Sequence, residues 1–219
     1  MRVLAILPVK SFDQSKQRLA AELTAGPRRA IAEAMFSDVL TALRRSASID
    51  EILVVSSDNA AQQIGGGHGA TVLEDAGEGH NEAATLGIRH AIEVGADRVL
   101  CVPGDCPLLD PAELDALIAR PFGPPSALII PDRHGTGTNA LLLSPPDALT
   151  PSFGPDSCAR HQRLAIEQGA TPEVIQVATL ALDVDTPDDL TALQETLATS
   201  HGGAAHTRGM LSQLLRSRA

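Results

Sequence analysis

The chain has no tryptophan, no tyrosine and only four phenylalanines among its 219 residues. That shortage removes the aromatic platforms on which single-stranded nucleic acid stacks. Positive charge is also scarce: 17 Lys and Arg stand against 27 Asp and Glu, a formal net charge of −10. Nucleic-acid binding over a broad basic face is excluded, whereas a local basic pocket for phosphates is not. Three cysteines, Cys101, Cys106 and Cys158, cannot close a disulfide framework. No second Cys/His pair completes a zinc site with Cys101 and Cys106, so all three read as small buried side chains. The seven histidines lack metal-ligand spacing. No apolar run approaches the roughly 20 residues that cross a bilayer. The run Val3 to Leu7 after Met1-Arg2 is too short for a signal-peptide core and fits a strand, so a cytoplasmic protein without membrane partners is expected.

What is present is an ordinary globular composition, 43% hydrophobic with a mean hydropathy of +0.04, and enough length for one substantial core. Apolar runs alternate with helical periodicity. Val3 to Val9, Ile52 to Ser56, Thr71 to Leu73, Val99 to Val102, Ala127 to Ile130 and Ala140 to Leu143 read as strands, with another inside Val174 to Val184. Pro27 to Arg45 places Ile31, Met35, Phe36, Val39, Leu40 and Leu43 at three- and four-residue spacing, a helical face. Further helices are expected over Ala60 to Ile64, Asn81 to Val94, Ala112 to Ala119 (Asp110 capping, Pro111 in the first turn), Ser157 to Gln168 and Asp188 to Leu197. Gly65 to Gly69 reads as a flexible turn. The tail 200–219 either stays mobile or docks as a short helix through Met210-Leu211 and Leu214-Leu215. No repeat or interdomain linker is visible, which leaves a single domain over 1–199. The alternation predicts a mostly parallel sheet covered by helices on both faces. Ligands of such folds bind where strand order switches, at the carboxyl ends of strands.

Four stretches carry chemistry. Pro8 to Leu19 leaves the first strand with Lys10, Lys16 and Arg18 within nine residues. In so acidic a chain this loop suits an anion such as a triphosphate, or equally a solvated basic loop. It lacks the glycines and GK[ST] of a phosphate-cradling P-loop. Asp105 stands between Pro103-Gly104 and Pro107 at the end of a buried strand, and Asp183-Val184-Asp185 alternates on what reads as another strand end. Carboxylates from two strand ends can share Mg²⁺, which prefers a few carboxylates plus phosphate oxygens. The plainer readings are a turn residue at Asp105 and a helix cap at Asp185. Asp132 to Asn139 brings two glycines, Thr136, Thr138 and Asn139 together, for a ligand or simply for a hairpin. Phe153 to His161 turns into a helix whose first N–H groups, with Ser157 and Arg160, suit a phosphate. Glu78 to Ala83 precedes a helix and could line a base pocket, with Asn81 as cap or ligand.

LPVKSFDQSKQRLA, GDCPLLDP, PDRHGTGTNALLL, FGPDSCARH and LDVDTPDDL together resemble the guanylyltransferases of coenzyme F-420 biosynthesis, over about Val3 to Leu197. Members of that family use 2-phospho-L-lactate, phosphoenolpyruvate or 3-phospho-D-glycerate. The resemblance implies a Rossmann-like nucleotidyltransferase fold, of the nucleotide-diphospho-sugar transferase kind. It implies GTP and a phosphorylated three-carbon acid as substrates and Mg²⁺ as the metal. Asp105, Asp183 and Asp185 would hold that metal, and Lys10, Lys16 and Arg18 would face the GTP phosphates as catalytic groups. Thr138, Gly154 and Ser157 would bind the phosphorylated acid, and Asn81 would lie near the guanine. The tail lies outside the resemblance. Rival readings are a CTP- or molybdopterin-dependent nucleotidyltransferase of the same fold, a non-catalytic nucleotide sensor, and a glycosyltransferase using Asp183-Val184-Asp185 as its acid pair. The oligomeric state is left open.

Overall fold

A computed structural model describes residues 1–77, 79–121, 123–200 and 202–218. Seven strands form one sheet: β1 (Val3–Pro8), β2 (Glu51–Val55), β3 (Thr71–Leu73), β4 (Arg98–Cys101), β5 (Ser126–Pro131), β6 (Thr138–Ser144) and β7 (Thr171–Val174). Their order is β3-β2-β1-β4-β6-β5-β7, and β6 alone among the described strands runs antiparallel to its neighbours. The helices are α1 (Ala25–Arg45), α2 (Asn59–Gly67), α3 (His80–Glu93), α4 (Pro111–Ile118), α5 (Ser157–Glu167), α6 (Pro187–Thr199) and α7 (Ala205–Arg218).

The two-residue period of the strands sorts the core into two layers. Val3, Ala5, Leu7, Ile52, Val54 and Leu100 face one way, against Phe36, Val39 and Leu40 of α1 and Leu114 of α4. Leu4, Ile6, Leu53, Val55, Val99 and Cys101 face the other, against Ala83, Ile88 and Ala91 of α3 and Cys158 and Ala165 of α5. Helix α3 lies so close to β1 that a Cβ on Gly87 would fall 2.4 Å from Ile6 Cγ2. The order β3-β2-β1-β4 reverses between β1 and β4, which brings the loops after these two strands together at the carboxyl edge of the sheet.

Two expectations change, and for the tail the helical alternative holds. The strand sought within Val174 to Val184 lies earlier, at β7, paired with β5 from Ser126↔Thr171 to Ile129↔Val174. This edge strand, Thr-Pro-Glu-Val, is mostly exposed and has no hydrophobic pattern to read. Downstream, Ala178–Leu180 is a 3₁₀ turn, and Leu182 and Val184 are buried without joining the sheet. Gly65 to Gly67 are helical rather than a loose turn: they form the last turn of α2, and Gly65 sits on Val54, where a Cβ would approach Val54 Cγ2 to 2.9 Å. The 200–219 segment carries the 14-residue α7, which packs on α1. Its first amides are satisfied from outside: His206 N–H and Thr207 N–H donate to the buried Asp38 carboxylate of α1 at 3.0 and 2.8 Å.

Candidate active site

The carboxyl end of β4 supplies the first acid. The chain turns at Pro103-Gly104 under Phe36, where a Cβ on Gly104 would lie 2.9 Å from the ring. Asp105 follows, half-buried, and its carbonyl accepts from Val184 N–H at 3.2 Å. That one backbone bond anchors the segment bearing Asp183 and Asp185. Val184 between them is fully buried, and both acids line the cavity above. The segment is not a strand. Nor is Asp185 a helix cap: Thr186 caps α6 in a reciprocal capping box with Asp189. Asp110 does cap α4, accepting from Ala112 N–H at 2.7 Å.

Lys16 binds the acids from the opposite side. Its backbone is left-handed (φ 55°, ψ 35°) between 3₁₀ turns at Phe12–Gln14 and Gln17–Leu19. Its side chain is 5% exposed, and its ammonium donates to Asp105 Oδ2 and, at 2.9 Å, to Asp185 Oδ1. Burial disfavours the charge, but the two carboxylates outweigh it and hold the group firmly protonated. The basic trio expected to face phosphates together is therefore split. Lys16 is tied to the acids, Lys10 borders a larger cavity, and Arg18 borders a smaller one. The left-handed turn at Lys16 parts them, a backbone feature that charge spacing does not reveal.

Asp183 is pushed up to about 6, first by burial and then by the neighbouring Asp105 charge. Asn139 of β6 steadies it, donating from Nδ2 to Asp183 Oδ1 at 3.2 Å and to Leu180 O at 2.7 Å. Asp105 Oδ1 is buried with no hydrogen-bond partner. An unpartnered carboxylate oxygen beside a second, half-buried carboxyl fits a hard divalent cation with oxygen ligands. Among the described residues no three His, Cys, Asp or Glu side chains converge as a metal cage. The fit is thus to a pair of protein carboxylates plus ligand oxygens, with Lys16 holding one oxygen each of Asp105 and Asp185.

Two cavities meet at this junction, of about 490 and 750 Å³, and Asp105, Asp185, Gly154 and Phe153 belong to the walls of both. The smaller is lined by Thr138, Ser157, Arg18 and Asp183. The larger is lined by Lys10, Lys16, Phe12, Gly79, His80 and Asn81.

The smaller cavity is framed by the β5–β6 hairpin and the start of α5. Asp132 folds the hairpin loop by accepting from His134, Thr136 and Gly137 N–H at 3.0–3.1 Å. Gly137 serves this fold rather than a ligand, since a Cβ there would lie 2.6 Å from Asp132 Oδ2. Gly154 holds φ +124°, a value L side chains rarely adopt. Ser157 begins α5, and its hydroxyl is buried without a partner. Arg160, expected as added charge for an anion, is instead consumed: its guanidinium donates to the Ser152 and Pro155 carbonyls.

Asn81 likewise grips the chain. It accepts from Phe153 N–H at 2.7 Å and donates to Phe153 O at 3.3 Å, which fastens this loop to the start of α3 at the border of the larger cavity. Glu78 lies outside the described residues. His161 closes the Phe153 to His161 stretch, where no role of its own could be read for it from sequence, and it is fully buried against Thr138. Its signal was its place beside Cys158 and Ala165 on the buried face of α5. The three thiols are buried and burial pushes each of them up, Cys101 to about 12, which disfavours the reactive thiolate.

Comparison with known proteins identifies the relatives. The family model for CofC-like guanylyl transferases matches residues 1–217, running through α7 as well as the sheet domain. The phosphoenolpyruvate guanylyltransferase of Conexibacter woesei is 57% identical over 99% of this chain and 98% of its own. The 2-phospho-L-lactate guanylyltransferase of Methanothermobacter thermautotrophicus is 32% identical over 98% of this chain and 92% of its own. Among solved structures, 4-diphosphocytidyl-2C-methyl-D-erythritol synthase matches with a TM-score of 0.63 at 17% identity, covering 90% of this chain and 98% of that one. At that identity the likeness speaks for the nucleotidyltransferase fold alone.

Proposed function

This chain belongs to the family of CofC-like guanylyl transferases, and from that premise we propose that it joins GMP from GTP to phosphoenolpyruvate, releasing pyrophosphate, in coenzyme F-420 biosynthesis. The choice of acceptor rests on the 57% identical relative named for phosphoenolpyruvate. The observation that supports the reaction is the pair of cavities joined along the Asp105–Asp185 wall, with Lys16 fastened to both carboxylates. A nucleotide in the larger cavity and a small acid in the smaller would bring their phosphates together at that wall.

An acceptor phosphate oxygen attacks the α-phosphorus of GTP. A new P–O bond forms, the bond to the bridging oxygen of the β-phosphate breaks, and the electron pair leaves with pyrophosphate. No general base is needed, because the acceptor phosphate is already ionised near neutral pH. Catalysis is then positioning and charge neutralisation. Asp105 and Asp183 are the residues that would hold Mg²⁺, with phosphate oxygens completing the shell. When bound, the ion supplies positive charge where negative charge gathers. Lys16 keeps its ammonium at the junction, Lys10 offers charge to the nucleotide phosphates, and Arg18 offers it to the acid. Ser157 and Thr138 present hydroxyls to the acid. A cytoplasmic location belongs to the same proposal; no helix among the described residues is long and apolar enough to cross a membrane.

The test is pyrophosphate release with GTP and Mg²⁺, offering phosphoenolpyruvate, 2-phospho-L-lactate and 3-phospho-D-glycerate one at a time. Release with phosphoenolpyruvate above the other two is expected. Preference for another acid corrects the acceptor, and silence with all three from folded protein refutes the reaction.

A further inference from the structure

His161 is fully buried, yet both of its ring nitrogens are engaged. Ser152 N–H donates to Nε2 at 2.9 Å, and Nδ1 lies 2.9 Å from Thr138 Oγ1. A backbone amide can only donate. Nε2 must therefore be an unprotonated acceptor, and in a neutral imidazole the proton then sits on Nδ1. It follows that Nδ1–H donates to the Thr138 oxygen, so the Thr138 hydroxyl cannot spend its own proton on the histidine. Thr138 borders the smaller cavity, where the Ser157 hydroxyl is also buried and unpartnered.

We infer that His161 is a positioning residue: it fixes the Thr138 hydroxyl as a one-way donor, aimed with Ser157 at an anionic oxygen of the acceptor acid. The inference rests on the functional reading above and deepens it. Fastening Ser152 through Nε2 also ties the orientation of Thr138 to the loop that carries Gly154. That loop is held from other directions as well, by Asn81 on Phe153 and by Arg160 on the Ser152 and Pro155 carbonyls. Phe153 stands edge-on to the His161 ring at a 5.2 Å centroid distance.

Two substitutions separate the halves of the ring. Asparagine can place an N–H near the Nδ1 position and still donate to Thr138, whereas glutamine can place its oxygen near Nε2 and still accept from Ser152. His161→Gln should raise the KM for phosphoenolpyruvate about ten- to a hundredfold, the scale of one hydrogen bond to a charged group. The KM for GTP should hold. His161→Asn should restore most of the acceptor KM. Thr138→Val should match His161→Gln, and the double variant should add little beyond either single one, as for two residues acting as a unit. Equal damage from Asn and Gln, parallel changes in both KM values, or additive effects would overturn the inference in favour of a purely structural histidine. Imidazole ¹⁵N shifts of the resting protein give a check that needs no turnover: a protonated Nδ1 and a bare Nε2 are expected, and the reverse tautomer overturns the inference by itself. Wild-type silence with all three acids, alongside the expected tautomer, locates the failure in the proposed reaction and withdraws the ligand-directed role with it.

Discussion

Replacing Asp105 by asparagine removes one charge and almost no volume, and stability and turnover should then respond very differently. Lys16 would keep Asp185 at 2.9 Å and lose the charge of its other partner. A hydrogen bond to a charged group is worth about 1.5–3 kcal/mol, and the asparagine oxygen can still accept, so the loss is at the low end of that range. Asp183 moves the balance the other way. It stands at about 6 instead of the ordinary 3.8, because of burial first and the Asp105 charge second. That displacement corresponds to about 3 kcal/mol near neutral pH, and the share due to Asp105 is returned by the substitution. The two terms oppose each other, and because burial is the larger cause at Asp183 the offset is partial. A net change within about 1 kcal/mol should move the Tm by no more than about 2–4 °C in a chain of this size. Turnover has no such compensation. Loss of one preorganised electrostatic group at the reacting phosphates should lower kcat about a hundredfold or more, near 2.7 kcal/mol of barrier. The assay is pyrophosphate release at saturating GTP, acceptor and Mg²⁺, beside a thermal melt of the same preparation. A folded Asp105→Asn protein whose kcat falls less than about threefold, under 0.7 kcal/mol, would refute the assignment.

Other consequences lie outside the reacting groups. Gly87→Ala should cost about 1–3 kcal/mol in urea unfolding, since the new Cβ would sit 2.4 Å from Ile6 Cγ2 and helix α3 must move off β1; an unchanged midpoint would contradict that packing. Asp38→Ala strips two amides at the start of α7 of their acceptor and should destabilise by about 1–3 kcal/mol, with faster amide exchange confined to α7 and its contacts on α1; uniform exchange across the chain would contradict it. His161 is depressed from 6.5 to about 4, by burial first and Arg160 second. Its neutral form thus adds stability that is fully present above pH 6.5 and is lost as pH falls toward 4, by about 3 kcal/mol. The stability difference between wild type and His161→Gln should therefore narrow over that interval in urea melts at stepped pH; a difference that stays constant with pH would refute the depressed value.

Much of the fold could be read from the chain because most of its strands carry their own apolar signal. The strands β1, β2, β4, β5 and β6 are hydrophobic on both faces, as central strands of a covered sheet must be. β7 could not be read, because an exposed edge strand owes its existence to pairing with β5 across more than forty residues of chain. In the site, Asp105 was legible from the breakers around it. The partner of Lys16 was not. A lysine in a basic loop reads as an anion contact, and only the folded chain brings it to Asp105, 89 residues away, and to Asp185, 169 away. The loop partners of Arg160 and Asn81 were illegible for a related reason. Their polar groups suit a ligand equally well, but the loop 152–155 has backbone groups to satisfy and takes them first. His161 shows the converse, a polar residue on an apolar helix face whose importance appears once its two ring partners are known.

The most direct test of the central claim is to identify the bond that is made. Incubating the protein with GTP, phosphoenolpyruvate and Mg²⁺ and following the mixture by ³¹P NMR should show pyrophosphate rising in step with two new, mutually coupled phosphoanhydride resonances from GMP joined to the acid. Neither should form when Mg²⁺ is chelated. Conversion of GTP to GMP or GDP with phosphoenolpyruvate left intact would contradict it, because water rather than the acceptor phosphate would then be the group that the two cavities bring to the α-phosphorus.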